Sequence, residues 1–106
     1  MRTGSFSGFF AVVLAVSIGT LGAAKAADPA AGKALAETWC ANCHAVSRGQ
    51  ASALDAAPPF SEIVARRAED LSFLEGLLAD PHPPMPKMSL TRREIRDLIA
   101  YVGSLR

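Results

Sequence analysis

Along the chain, apolar positions come first as one unbroken run and then as short stripes at helical spacing. From Phe6 to Ala24 there is no charged residue, and the run is densest between Phe9 and Ile18. Beyond it no strand-like alternation, internal repeat or low-complexity segment stands out. Asp28 followed by Pro29 is a helix start, an N-cap carboxylate ahead of proline at the first helical position. Gly32, Leu35, Ala36 and Trp39 recur at i, i+3, i+4 and i+7, which places them on one face and predicts Trp39 in the core. This helix is expected to end at or near Cys40.

Residues 48–57 are small and polar and predict a loop. Phe60 to Arg67 predicts a short helix after Pro58-Pro59. Leu71, Leu74, Leu77 and Leu78 form another stripe, stopped by Asp80-Pro81. Pro81-His82-Pro83-Pro84-Met85-Pro86 is excluded from helix, because proline fixes φ and removes amide donors. In the last segment Thr91 and Glu94 make a capping box, with Leu90 and Ile95 placed as its hydrophobic staple. Ile95, Leu98, Ile99, Val102 and Leu105 then predict an amphipathic helix to residue 106. The first and last helices are each apolar on one side and are expected to pack together, with Gly32 and Ala36 letting the backbones approach.

Length changes the picture first: 106 residues allow one small domain at most. The opening apolar run is not part of it. Arg2 supplies a positive start, and Ala24-Lys25-Ala26 fits the small-x-small rule for leader cleavage. Residues 1–26 are therefore expected to be a signal peptide cut before Ala27, leaving 27–106 as the domain. An uncleaved anchor is the alternative, and only then is membrane contact expected. The dense stretch is short against the roughly 20 apolar residues that a spanning helix needs. Without Arg2 and Lys25, nine basic side chains face ten acidic ones. Such a balance excludes nucleic-acid binding by a strongly basic patch. A domain this small often needs a disulfide, metal or other staple.

Cys40-Ala41-Asn42-Cys43-His44 supplies a candidate. Cys-x-x-Cys-His is the spacing of covalent c-type haem attachment. Two thiols three residues apart can add to the two vinyl groups of the porphyrin, and the adjacent imidazole then sits under the iron. Three other uses of these residues compete: a simple disulfide, a redox dithiol, or a zinc site of Cys40, Cys43, His44 and His82. Redox dithiols usually open a helix within a βαβ pattern, and none is visible. The spacing from Cys43 to His82 suits no common zinc module.

With these residues in place, residues 27–106 resemble a small class I bacterial cytochrome c. The resemblance is carried by Gly32, the Cys40–His44 motif, Ala57-Pro58 with Phe60, Met85-Pro86, and Leu98-Ile99-Ala100-Tyr101. It implies an all-α fold of three to four short helices around one covalent haem c, with terminal helices crossing at Gly32 and Leu98–Tyr101. It also implies that the Pro58 carbonyl accepts a hydrogen bond from His44 and fixes its orientation. Met85, sixteen residues before Tyr101, takes the position of the axial methionine, and a thioether there raises the potential. Met88 and His82 remain rivals for that place. The family's usual Gly-Pro is Ala57-Pro58 here, and no tryptophan follows the motif to bond a haem propionate, which leaves Arg66 or Arg67 as candidates.

The expected function is that of a periplasmic one-electron carrier. Its ligands are His44 and Met85, its partners are a redox donor and acceptor in the periplasm, and no small-molecule substrate or catalytic group is called for. Two alternatives stand beside it: a haem c subunit of a periplasmic dehydrogenase or oxidase, and a gas-binding or catalytic haem protein with a labile sixth ligand. Tyr101 is expected to pack in its helix with the hydroxyl on a polar group. Lys87, Arg92, Arg93 and Arg96 form a basic group that is either a docking surface for an acidic partner or an ordinary solvated face.

Overall fold

In a computed structural model, residues 1, 4, 19, 22, 25–52 and 54–106 are described. Nearly all of the expected leader, 1–26, lies outside them. Four helices follow one another, α1 (Pro29–Trp39), α2 (Phe60–Arg66), α3 (Phe73–Ala79) and α4 (Arg92–Ser104), with no strand among the described residues.

Local chemistry starts and stops each helix much as the sequence predicts. Asp28 caps α1, its carboxylate accepting the amides of Ala30 at 2.9 Å and Ala31 at 3.3 Å. Cys40 closes it through its own N–H to the Ala36 carbonyl at 2.9 Å. At α4 the capping box is complete, with Thr91 Oγ1 accepting the Glu94 amide and the Glu94 carboxylate accepting the Thr91 amide at 2.7 Å. The two middle helices have only seven residues each and no side-chain cap, so packing holds them rather than propensity. Ahead of α3, the Asp70 carboxylate accepts the Ser72 amide at 2.8 Å. Hydrogen bonds from Ser72 hold the Asp70 carboxyl below the usual range.

The terminal helices meet as expected, and Gly32 is the reason they can. A Cβ built on it would stand 2.0 Å from the Asp97 carbonyl oxygen and 2.9 Å from the Leu98 nitrogen. Backbone therefore lies against backbone, and no side chain fits between. Around this crossing Ala36, Val46, Val64, Leu98, Tyr101 and Val102 form the buried core, with Leu74 of α3 and Phe60 of α2 packed beside them. The Tyr101 hydroxyl donates to the Val46 carbonyl at 2.6 Å, tying α4 to the segment that follows α1.

Two placements differ from the sequence reading. Trp39 shares the register of Gly32 and Ala36 but is 50% exposed. As the last residue of α1 it has passed the crossing and stands at a cleft rather than in the core. Asp97, which the amphipathic pattern leaves on the polar side of α4, is buried. Its carboxylate accepts the Asp28 amide at 2.8 Å and so joins the starts of α1 and the last helix's middle turn.

Candidate functional site

Cys40, Cys43, His44, Pro58 and Met85 all line one cleft of about 370 Å³. That lies within the roughly 300–1,000 Å³ usual for cofactor and small-molecule sites. An apolar recess of about 50 Å³ adjoins these residues, and Cys40, His44, Ile63, Leu77 and Met85 line both spaces. Among the described residues no Asp, Glu, Lys or Arg lines either one.

The end of α1 delivers the first group. Cys40 is its C-cap, and a tight turn follows, with the amides of Cys43 and His44 both donating to the Cys40 carbonyl, at 3.1 and 2.9 Å. That turn brings two thiols and an imidazole to one wall. Both cysteines are free thiols, Cys40 buried and Cys43 partly so. Burial, helped by the neighbouring Cys43, pushes the Cys40 thiol up to about 11. A redox dithiol needs the opposite, a thiolate favoured near neutral pH.

His44 is held from two sides. Its Nδ1 lies 2.7 Å from the Pro58 carbonyl oxygen. A carbonyl can only accept, so Nδ1 carries the proton and donates, which leaves the Nε2 lone pair free as a metal ligand. The Phe60 ring packs against the imidazole with centroids 5.5 Å apart and planes tilted by 52°. The loop reaches this position because the Phe60 amide donates to the Ala45 carbonyl at 2.9 Å, folding Pro58 back over the residues after Cys43.

Opposite stands the proline-dense loop. The Met85 amide donates to the His82 carbonyl at 2.9 Å, closing a turn that places Met85 on both the cleft and its recess. Met88 and His82 line only the larger space. The residues present fit a flat, mostly apolar macrocycle: two thiols and a lone-pair imidazole on one wall, a thioether on another, and aliphatic side chains between. Among the described residues no three His, Cys, Asp or Glu side chains converge to hold a metal ion on their own.

Other candidates do not reach the cleft. Arg66 pairs with Glu62 on the surface of α2, and the Arg67 guanidinium lies 4.7 Å over the Phe73 ring. Neither lines the cleft. In the basic group, Lys87 reaches Asp80 at 3.4 Å and Arg93 reaches Asp97 at 3.9 Å, while Arg92 and Arg96 are exposed. None of the four lines the cleft.

Comparison with known proteins adds to this geometry. The family described as Cytochrome c matches residues 29–106. The chain is 44% identical over 95 residues to "Cytochrome c-552" of Bradyrhizobium diazoefficiens, a match covering 90% of each protein. No solved structure matches significantly.

Proposed function

The chain belongs to the cytochrome c family, and from that premise we propose a periplasmic one-electron carrier with haem joined to Cys40 and Cys43 and ligated by His44 and Met85. Membership brings one covalently bound haem c and makes the protein an electron-transfer protein. When bound, the haem supplies a ferric/ferrous couple.

What the chain's own residues contribute can be derived one by one. The observation that carries the proposal is the 2.7 Å contact from His44 Nδ1 to the Pro58 carbonyl. It fixes the tautomer, stops the ring from turning, and makes Nε2 a stronger donor. Met85 offers a soft thioether from a loop stiffened by prolines on both sides, which favours the ferrous state and raises the potential. Ile63, Leu77 and Leu78 exclude water, so little solvent need reorganise as charge changes. No step needs a general acid, base or nucleophile. Residues 1–26 act as the export leader, and the partners are a redox donor and acceptor in the periplasm.

The test is the visible spectrum of the ferrous protein, expressed from the full-length gene with c-type maturation, with and without carbon monoxide. A low-spin spectrum unmoved by the gas is the expected result. Met85→Ala should bind the gas readily and show a lower potential. An unchanged spectrum in that variant would sink the methionine assignment. A gas-sensitive natural protein would favour sensing or catalysis over the carrier, and co-purification with a larger enzyme would favour a subunit.

A further inference from the structure

Asp97 is the one charged side chain among the described residues that is buried, at 4% exposure. Its Oδ1 accepts the Asp28 amide at 2.8 Å. Its Oδ2 has the Arg93 Nε at 3.9 Å, beyond hydrogen-bond length, on a half-exposed side chain. A carboxylate withdrawn from water is costly unless charge and hydrogen bonds compensate it. Here one oxygen is well bonded and the other is met loosely.

We infer that Asp97 receives the α-amino group created when the leader is cut before Ala27, so that processing adds a second charge partner to a carboxylate that Arg93 meets only at 3.9 Å. The inference rests on the leader reading above. In the uncut chain the Ala27 nitrogen is an uncharged amide. After the cut it is an ammonium one residue from Asp28, and neighbouring residues are only about 3.8 Å apart. Since the Asp28 nitrogen already touches Asp97, a terminal residue with free rotation brings the ammonium within reach of the carboxylate.

The helix makes such a receptor favourable. An ammonium just ahead of α1 opposes the partial positive charge of that helix end. The groups that face it are Asp28 ahead of α1, and Asp97 and Arg93 on α4, while the Glu94 carboxylate is turned to the Thr91 amide. Arg93 repels the ammonium and the two aspartates attract it. Asp28 caps Ala30 and Ala31 through Oδ1 alone, so it adds to the attraction, while Asp97, bonded to the Asp28 amide itself, is the anchor. Export processing would then fasten the outer end of the crossing that Gly32 makes possible.

The experiment uses haem-loaded protein exported from the full gene. Intact mass establishes the first residue, and the α-amino group is then labelled by reductive methylation with ¹³C-formaldehyde and titrated by NMR. In the folded protein its pKa should exceed the ordinary value of roughly 7.7–8.0 by at least ~0.5 unit. On the same label it should return to the ordinary range in denaturant and in Asp97→Asn, which keeps an acceptor oxygen for the Asp28 amide. Asp28→Asn should keep most of the shift. An ordinary pKa in the folded natural protein, or a shift that survives Asp97→Asn, overturns the inference and leaves the leader standing. A mass that starts elsewhere than Ala27 overturns the leader reading and this one together.

Discussion

Where α1 crosses α4, main chain lies on main chain at Gly32, a buried tyrosine hydroxyl is bonded across 55 residues, and Leu98 is 2% exposed. The wall that carries Met85 is made differently. From Pro81 to Leu90 it has no helix, Met85, Met88 and Leu90 are only partly buried, and one turn hydrogen bond orients the methionine. One side is thus determined by close packing among its own residues. The other is a stiff but thinly tied loop, which under the proposed ligation packs against the haem. The crossing fixes how the terminal helices meet, and under the proposed ligation the loop sets what the iron can do.

This difference can be broken first at Gly32. Gly32→Ala forces a methyl group into the Asp97 carbonyl, and chemical denaturation followed by circular dichroism should show a loss of roughly 3 kcal/mol. Gly76→Ala is the control, since nothing lies within 4 Å of its Cβ position inside α3, and it should stabilise by about 0.5–1 kcal/mol. Equal effects at the two glycines would refute the claim that the crossing dominates. Next in size is Tyr101→Phe, which leaves the buried Val46 carbonyl without its donor. It should cost about 1–3 kcal/mol in the same assay while leaving the ferrous spectrum unchanged.

The smallest expected effect is at the start of α4. Thr91→Ala removes the capping box and should lower the Tm by roughly 4–8 °C. It should also alter the acid limb. Hydrogen bonds from Thr91 hold the Glu94 carboxyl below its ordinary value of 4.5. A depressed folded value means that the contribution is present above the unfolded value and is lost as pH falls through the folded one. Thermal melts of the natural protein between neutral pH and pH 3 should therefore fall more steeply than those of Thr91→Ala.

Much of this was legible in the residues because its causes are local. Asp28-Pro29 and Thr91 with Glu94 announce helix starts from within one turn. Cys40, Cys43 and His44 are fixed by adjacency, and Gly32 with Ala36 marks the face where helices can touch. What stayed hidden depends on where a face stops being covered. Periodicity puts Trp39 in line with Ala36, but it does not say that the neighbouring helix has already passed. Asp97 looks solvated by the same rule, because its burial comes from the incoming start of α1 and not from its own helix. Nor does the sequence show that Glu62 lies beside Arg66 and Phe73 beside Arg67.

Residues 43–60 carry one more consequence. The Leu54 amide donates to the Cys43 carbonyl at 3.3 Å, the Phe60 amide to the Ala45 carbonyl at 2.9 Å, and His44 to Pro58. The segment leaves His44, the proposed iron ligand, and comes back to it, so its ends are clamped together. Its tip, the exposed turn at Arg48-Gly49-Gln50, bonds to Val46, Ser47 and Arg106 rather than to His44 or Pro58. Closing a longer loop costs only about 0.6 kcal/mol for each doubling of length. An engineer grafting a peptide or affinity handle at Gly49 would therefore lengthen the segment at its exposed turn, with the His44–Pro58 bond left as it is and the Gln50 contacts kept on one side of the insert.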